Sequence, residues 1–386
     1  MTFVLVGSWQ DTLGANDGGG GISVLRLSTD GELLLSSSRD PHLAVGGIAI
    51  GMRGERVYAL NETKRWGVTD VPGGSVSVYT VDRDSAELHP TKTVPTYGVF
   101  PNSIAIDHGS TFLAVSNYGS EESVIRTEMC DGRPRLIRLV DEGSVAVLAL
   151  DGAGDPTGRV LVRPHTRVSG VDGWRQGSPH PHGVAVSKLS GILAVADRGG
   201  DTVSTYRVGS HGESIELLAE HVVAGGQGPR TLAFAPDGET LIVTSELEPF
   251  VSRYIAHSRG TLEHVETVPS VTRLPEDRSD FYALPHPSGL AISRDGQFAY
   301  VLNRGEDTIA QFELSAGGLR LIRVLSSEGS APWCAAISPD GRHLLVGNKG
   351  SSSISVFDID DQAGMPRWVQ STEVPNPASI AFFDAR

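Results

Sequence analysis

Short apolar runs alternate with turns rich in Gly and Asp along the chain, and residues 287–314 show the repeating unit most clearly. Residues 289–292, 298–302 and 308–312 are apolar, β-branched or aromatic runs of strand length. Residues 293–296 join the first two runs as a turn, because Asp tolerates a tight bend and Gly supplies a positive φ angle. The pattern predicts a hairpin followed by a third strand. One such unit cannot bury both of its faces, so several copies must pack together.

The same unit occurs seven times along the sequence. Each copy has an alanine in the middle of its first strand, and six copies have a small polar residue twelve positions later. In the seventh copy the first strand, 380–382, lies at the end of the sequence and the second strand, 3–7, lies at the start. We expect the polar residues to form turns by bonding nearby backbone groups. The alanines are Ala49, Ala105, Ala185, Ala233, Ala291, Ala336 and Ala381, and the polar residues are Asn61, Asn117, Asp197, Ser245, Asn303 and Asn348.

The spacing is constant inside a copy and variable between copies, which indicates rigid hairpins joined by loops of free length. We therefore predict an all-β fold, a single seven-bladed β-propeller over residues 1–386, closed by the N- and C-terminal strands in one blade. An open sandwich with coincidental repeats is the alternative. The longest interval separates Ala105 from Ala185 and predicts an insertion at 120–142 in blade three. A β-like run at 136–139 makes an extra hairpin or a lid the expectation for this insertion.

Two positions in each blade are predicted to face one mouth of the central channel. The first strand starts, and the second strand ends, at the same edge of an antiparallel hairpin. One position therefore lies three residues before the central alanine, and the other lies thirteen after it. Both sets are richer in charged and catalytic residue types than a structural ring requires. The first set is Gly46, Asn102, His182, Arg230, Ser288, Trp333 and Ala378, and the second is Glu62, Tyr118, Arg198, Glu246, Arg304 and Lys349, with Trp9 from the split copy.

Histidines are the first candidates for chemistry in these sets. His180 and His182 are two residues apart, so on an extended strand both would face the same side. We interpret His182 as a general base or as a hydrogen-bonding partner of the substrate. A structural pair and a metal site remain alternatives, although two His ligands would need further partners. His286 stands five residues before Ala291, as His180 does before Ala185, and is expected at the pocket edge.

Arginines and acids complete the candidate set. Arg230 and Arg304 precede or end predicted strands and are interpreted as ligand contacts. Arg198 and Lys349 occupy matching positions, where either could bind a ligand or pair with a neighbouring acid. The pKa of Glu246 would be lowered by nearby arginines and raised by burial, and the sequence leaves this balance open.

Two further residues keep alternative roles. Glu62 is the reserve candidate for the role of Glu246, because it occupies the corresponding position of blade two. Trp333 is either a stacking wall for a flat ligand or a core residue.

The composition limits the classes of molecule that the protein is expected to bind and the compartment in which it is expected. The formal net charge of −14 argues against a nucleic-acid interface, but a local arginine cluster can still attract an anionic small molecule into a cleft. Cys130 and Cys334 form no disulfide framework, which favours a reducing compartment. No apolar run reaches the length of a membrane span. The sequence starts without a basic segment, so we expect a mature, cytoplasmic protein. The oligomeric state stays open.

Several segments, taken in order, resemble the seven-bladed propeller lactonase family, which includes a bacterial 6-phosphogluconolactonase and a fungal carboxy-cis,cis-muconate cyclase. They are 101–119, 178–201 and 228–246, with Asp-Gly turns at Asp295 and Asp340. The resemblance covers essentially the whole chain.

The resemblance implies a pocket that needs neither metal nor cofactor and contains one His, two Arg and one Glu. By position these are His182, Arg230, Glu246 and Arg304. The insertion, the charge of Arg198 and the bulk of Trp333 depart from the usual pattern of the family. The further residues expected to bind substrate are His180, Asn102, Glu62, Arg198, Trp333, His286, Lys349 and Tyr118.

We predict from this a cytoplasmic lactonase acting on a sugar-type lactone, phosphorylated or otherwise acidic. Glu246 or His182 would activate water, and Arg230 and Arg304 would bind the oxyanion or a remote anion. One alternative is a lactonizing cyclase acting on a muconate-like polycarboxylate. Another is a non-catalytic propeller that binds a ligand or a protein through the loops 63–74 and 120–142.

Overall fold

A computed structural model describes residues 2–9, 20–40, 43–51, 54–66, 71–83, 85–276 and 284–384. Within these ranges the chain forms seven four-stranded antiparallel sheets, two short two-stranded ribbons and one 3-10 turn, Ser210–Gly212. The predicted all-β, seven-bladed propeller is confirmed. No helix in the described ranges is long and apolar enough to cross a membrane.

The strands are numbered β1 to β32 along the chain. Blade one consists of β1 (Thr2–Ser8), β2 (Gly21–Leu27), β3 (Leu33–Arg39) and β32 (Pro377–Asp384). Blade two consists of β4 (Val45–Ile50), β5 (Arg56–Asn61), β8 (Ser75–Val81) and β9 (Leu88–Pro95). Blade three consists of β10 (Pro101–Ile106), β11 (Phe112–Asn117), β14 (Ser144–Leu150) and β15 (Pro156–Pro164). The two ribbons are β6 (Arg65–Trp66) with β7 (Val71–Pro72), and β12 (Ser123–Cys130) with β13 (Arg133–Val140).

The remaining four blades follow in order along the chain. Blade four consists of β16 (Pro181–Val186), β17 (Leu193–Asp197), β18 (Thr202–Val208) and β19 (Ile215–Val222). Blade five consists of β20 (Pro229–Phe234), β21 (Thr240–Ser245), β22 (Phe250–Ala256) and β23 (Leu262–Pro269). Blade six consists of β24 (His286–Ile292), β25 (Phe298–Arg304), β26 (Thr308–Ser315) and β27 (Gly318–Ser326). Blade seven consists of β28 (Pro332–Ile337), β29 (His343–Asn348), β30 (Ser353–Ile359) and β31 (Pro366–Glu373).

The ring closes through blade one. Strand β1 pairs with β2 on one side and with the C-terminal β32 on the other. The seven innermost strands contact one another in the cycle β32, β4, β10, β16, β20, β24, β28 and back to β32. The rings of Phe3 and Phe383 stack at 5.1 Å across the closing pair. The predicted closure by the two ends of the chain is therefore confirmed.

The core is divided among the seven gaps between neighbouring blades. Each gap holds one cluster of buried apolar side chains. In β1, Phe3 and Leu5 pack against blade two, whereas Val4 and Val6 pack against blade seven. Because both faces of such a strand are buried, its sequence is continuously apolar and does not alternate. This explains why short apolar runs, and not alternating patterns, mark the repeat.

The small polar residues twelve positions after each alanine have the structural role expected of them. The side-chain amide of Asn117 donates to the carbonyl oxygen of Thr96 at 3.3 Å. The amide of Asn303 donates to the carbonyl oxygen of Ser270 at 2.9 Å. Both bonds satisfy buried backbone acceptors, which would otherwise destabilise the fold. These residues fix the loops between blades and do not reach the channel mouth.

The insertion in blade three is a separate hairpin. Strands β12 and β13 pair only with each other in the described part of the chain. Most of their apolar side chains, such as Val124, Met129 and Leu136, are exposed. The predicted extra hairpin is confirmed. In the other long loop, 63–74, the structure describes the ribbon β6–β7, and residues 67–70 lie outside the described residues.

Candidate active site

A cavity of about 660 Å³ lies on the propeller axis, because residues of all seven blades line it. Most positions predicted to face the channel mouth are in its wall. The lining residues from the two predicted sets are Trp9, Gly46, Glu62, Asn102, Tyr118, His182, Arg198, Arg230, Glu246, Trp333 and Ala378. The side chains of Arg304 and Lys349 reach the same site through contacts with Trp333.

A backbone irregularity directs several of these side chains inward. In the innermost strand of six blades the pairing register shifts near the start of the strand, after the first pair in five blades and after the second pair in blade six. In blade four Pro181 pairs with Asp197 and the next pair is Val184 with Val195, which leaves His182 in the bulge. Arg230 lies in the equivalent bulge of blade five. Bulges re-aim side chains and are frequent beside functional sites.

Three arginines surround one carboxylate in blades four to six. An Nη atom of Arg198 lies 3.3 Å from Glu246 Oε2, and Arg230 Nε lies 3.6 Å from Glu246 Oε1. Arg304 also makes an ion pair with Glu246 Oε1. Burial alone would raise the pKa of Glu246, but the three guanidinium groups outweigh burial and hold this pKa well below its usual range. Glu246 is thus a permanent carboxylate near neutral pH.

Among the described hydrogen bonds of the three arginines, those of Arg198 and Arg304 reach a carboxylate, whereas that of Arg230 does not. Its side chain is 4% exposed, and its Nε atom has no hydrogen-bond partner within the described residues. One Nη atom donates to Thr231 Oγ1 at 3.2 Å, and the guanidinium carbon lies 5.1 Å from the centre of the Trp333 ring. Burial and the neighbouring charge of Arg304 lower the pKa of Arg230 to about 10. The Arg230 guanidinium therefore remains a cation at neutral pH, and it has N–H donors available to a ligand.

His182 points an unprotonated imidazole at the cavity. Its ring meets the edge of Tyr118 with the centroids 5.8 Å apart. Neither ring nitrogen has a hydrogen-bond partner in the part of the chain that the structure describes. Burial, followed by the charge of Arg230, lowers the pKa of His182 well below its usual value. The imidazole is therefore neutral at physiological pH, and its open ring nitrogens can hydrogen-bond to a water in the cavity.

His180 and His286 are not among the residues that line the cavity, and their expected contact with substrate stays a prediction. His180 precedes β16 and is fully buried, with its ring stacked on Tyr118 at 4.5 Å. Its Nδ1 and Nε2 atoms bond the carbonyl oxygen of Tyr118 and the hydroxyl of Ser178. The Nδ1 atom of His286 bonds the carbonyl oxygen of Glu246 at 2.9 Å. Both histidines therefore position the residues that line the cavity.

Blades seven, one and two form an aromatic side of the site. The rings of Trp9 and Trp333 meet edge to face at 5.1 Å, and Lys349 Nζ lies 3.9 Å and 4.5 Å from their centres. Trp9 Nε1 donates to Glu62 Oε2 at 2.6 Å. Burial raises the pKa of Glu62 to about 8, against the opposing effects of Trp9, Lys349 and Arg230. Trp333 is thus a cation-binding wall of the site and not a core residue.

The sequence reasoning missed Glu121, which belongs to the insertion. Its carboxylate pairs with Arg198 and accepts a hydrogen bond from the Tyr118 hydroxyl at 3.0 Å. Glu121 also lines the cavity. It lies outside the repeated register, so no spacing in the sequence could have placed it there. Asn102, by contrast, lines the cavity as predicted, and its Oδ1 accepts from Ser116 Oγ at 2.8 Å.

Metal ligands were a second possibility for the histidine pair. Within the described ranges, no group of three or more His, Cys, Asp and Glu side chains is arranged to hold a metal ion. Both ring nitrogens of His180 are already engaged by protein groups. The two histidines therefore do not present a shared set of open ligand atoms.

Comparison with known families adds to this geometry. The family described as "Lactonase, 7-bladed beta-propeller" matches residues 3–382. The chain belongs to this lactonase family. The resemblance expected from the ordered segments is therefore confirmed over nearly the whole chain.

Among curated relatives of this lactonase, the 6-phosphogluconolactonase of Bacillus subtilis is 26% identical over 83% of this chain and 84% of its own length. The 6-phosphogluconolactonase of Formosa agariphila is 27% identical over 98% of this chain and 99% of its own length. Among solved structures, the periplasmic gluconolactonase of Pseudomonas aeruginosa covers 100% of both chains with a TM-score of 0.81 and 29% identity. A protein from Lactobacillus plantarum, at 22% identity and a TM-score of 0.81 over 100% of both chains, shows the same fold.

Proposed function

We propose that this protein hydrolyses a sugar-type lactone that carries an anionic group, and that it does so without a metal ion. The observation that carries the proposal is Arg230, a buried guanidinium with an Nε donor that no described residue accepts from. An unsatisfied buried donor is costly, and a charged one more so. Because Arg230 faces the cavity beside Arg304 and Trp333, an anionic substrate group is the partner that would satisfy it.

The charges around the cavity favour the same class of ligand. Arg198, Arg230, Arg304 and Lys349 contribute four positive charges at or beside the wall. Glu246, Glu121 and Glu122 supply three negative charges, one fewer than the four cations, while Glu62 holds its proton at neutral pH. The net field in the cleft is positive, although the whole chain carries a formal charge of −14.

The charge states also divide the chemical roles. The carboxylate oxygens of Glu246 are already engaged by three guanidinium groups, so Glu246 serves to hold the arginines. His182 is neutral, faces the cavity and has open ring nitrogens, so it would take the proton from the attacking water. Arg230 or Arg304 would stabilise the oxyanion of the tetrahedral intermediate or bind the remote anion of the substrate.

The names of the relatives support sugar lactones as the substrate class. Two curated relatives are 6-phosphogluconolactonases and one structural relative is a gluconolactonase. A phosphorylated and an unphosphorylated gluconolactone therefore form the most informative pair of test compounds. The cytoplasmic location expected from the sequence stays a prediction, and the structural relative from Pseudomonas aeruginosa is described as periplasmic.

The test is steady-state kinetics on this pair, measured by acid release and with a chelator present. We expect the phosphorylated lactone to have the higher kcat/KM. Arg230→Ala should lower kcat about 10²–10³-fold if Arg230 binds the oxyanion, because a single such donor has this effect. If Arg230 binds the remote phosphate, its loss should mainly raise KM. His182→Ala should lower kcat with either compound.

Two outcomes would contradict the proposal. Unchanged kinetics for both Arg230→Ala and Arg304→Ala would remove the cluster from the reaction. Loss of activity on adding the chelator would reject a mechanism without metal. A muconate-like diacid, followed by its ultraviolet absorbance, belongs in the same screen, because its turnover in place of the lactones would assign the cyclase reaction.

A further inference from the structure

The carboxyl group of Glu62 is fixed on the aromatic side of the cavity. Trp9 Nε1 holds Oε2 at 2.6 Å, and within the described residues Oε1 has no hydrogen-bond partner. A Cβ atom on Gly46 would occupy the position of this carboxyl group, so a glycine is required opposite it. Glu62 lines the cavity, and Oε1 is the oxygen that the bond from Trp9 leaves for a ligand.

The surroundings of Glu62 set its protonation state. Two charged groups act on it, Lys349 from blade seven and Arg230 from blade five, and both favour the carboxylate, as does the bond from Trp9. Gly46 adds no charge. Burial in the cavity wall outweighs these effects and raises the pKa of Glu62 to about 8. Glu62 therefore carries a transferable proton at neutral pH.

Three other titratable groups of the wall, Tyr118, Cys334 and Glu246, are unsuited to donate this proton. Burial raises the pKa of Tyr118 well above its usual value and that of Cys334 to about 12, so both hold their protons tightly. The pKa of Glu246 is so low that it has no proton to give. An acid works best when its pKa lies near the working pH, and Glu62 meets this condition.

We propose that Glu62 is the acid that protonates the ring oxygen as the lactone opens. The inference rests on the proposed lactonase function and deepens it. Water attacks the carbonyl carbon and gives one proton to His182. The tetrahedral intermediate then breaks its bond to the ring oxygen, which takes the proton of Glu62 and leaves as a hydroxyl. His182 returns a proton to Glu62 through solvent, and the new carboxylic acid releases one proton, so the products are a hydroxy carboxylate and one proton.

The decisive variant is Glu62→Gln, studied by the pH dependence of kcat. The amide oxygen of Gln can still accept the bond from Trp9, so the wall should be preserved. We expect kcat to fall about 10²–10⁴-fold, the usual contribution of a positioned acid, with little change in KM. The wild-type rate should fall above pH 8, where Glu62 loses its proton, and this alkaline limb should be absent in the variant.

Two further variants separate an acid from a structural residue. Trp9→Phe removes a bond that favours the carboxylate, and Lys349→Gln removes a favouring charge. Both should shift the alkaline limb to higher pH, whereas a purely structural defect would lower the rate without moving the limb. Glu216→Gln, on an exposed ion pair of an outer strand, is the matched control and should retain the wild-type profile.

A direct NMR titration of the Glu62 carboxyl group, which needs no catalytic turnover, completes the test. In ¹³C-glutamate-labelled protein, one carboxyl resonance should titrate near pH 8, and Glu62→Gln should lack this resonance. Wild-type protein that opens no lactone would reject the proposed function itself. An active wild type whose alkaline limb persists unmoved in Glu62→Gln, or in both Trp9→Phe and Lys349→Gln, would overturn the role of Glu62 and leave the lactonase function intact.

Discussion

At the residue scale, Glu62 and Glu246 occupy the same position of two different blades, yet their surroundings give them opposite charge states. Three arginines keep Glu246 ionised, whereas burial beside Trp9 keeps Glu62 protonated at neutral pH. Pairs of carboxyl groups with pKa values pushed apart are a frequent basis for acid and base assignments. The propeller repeat thus supplies equivalent positions, and the neighbours in each blade decide what each position does.

The arginine cluster predicts a stability effect for Glu246→Gln. Removing the charge would leave Arg198, Arg230 and Arg304 close together without their shared anion. Breaking a buried ion pair from one side usually lowers the free energy of unfolding by about 3–5 kcal/mol. Denaturant titration should show this loss, and added phosphate should recover part of it by binding the arginines. Glu216→Gln should have almost no effect, and an equal loss in that exposed control would contradict the explanation.

The sequence predicted which residues share the cavity but not how they are arranged in it. The spacing from each alanine placed His182, Arg230 and Glu246 at one mouth, because strand pairing carries spacing directly into space. It could not place the bulges that turn His182 and Arg230 inward, since these depend on the register of the folded hairpins. The sequence also could not predict whether burial or neighbouring charge decides the pKa of Glu62, because burial depends on how its carboxyl group packs against Gly46.

At the element scale, the hairpin β12–β13 is an addition to the ring. Its strands do not join any blade sheet among the described residues, and many of its side chains are exposed. The sequence indicated a hairpin here through the long interval and the run at 136–139. It gave no sign that Glu121, at the base of the hairpin, turns into the cavity. Glu121 therefore adds a carboxylate from the insertion to a cavity whose other side chains come mainly from the repeated blades.

Glu121 predicts a change of substrate preference. Its carboxylate pairs with one Nη atom of Arg198, while the other Nη atom lies against Glu246, so loss of the Glu121 charge would free part of this guanidinium for an anionic substrate. Glu121→Gln should therefore lower KM for a phosphorylated lactone by roughly tenfold, about the value of one charge-assisted hydrogen bond. KM for an uncharged lactone should stay the same. Glu128→Gln, on strand β12 and paired with Arg126, is the matched control. An equal effect on both substrates would argue against competition for Arg198.

At the scale of the whole molecule, closure of the ring keeps the two halves of the site in place. The arginine cluster lies in blades four to six, and Trp9, Glu62 and Lys349 lie in blades one, two and seven. No single blade contains all of the side chains that form the proposed active site. Strand β32 is the innermost strand of blade one and contacts both β4 and β28, so it joins the first and last blades into one ring.

This closure predicts that loss of β32 affects the whole propeller, whereas a cavity in one interblade gap affects it only locally. Phe312→Ala in blade six and Phe383→Ala in the closing pair each remove a buried ring, and each should lower the free energy of unfolding by about 3–5 kcal/mol. A chain ending at Asn376 lacks β32, which exposes one edge of β1 and removes the contacts of blade one with β4 and β28. Its thermal unfolding should lose cooperativity, and a peptide of residues 377–384 should restore it by pairing with β1. A truncated chain that unfolds at the wild-type temperature would show that the ring does not depend on this strand.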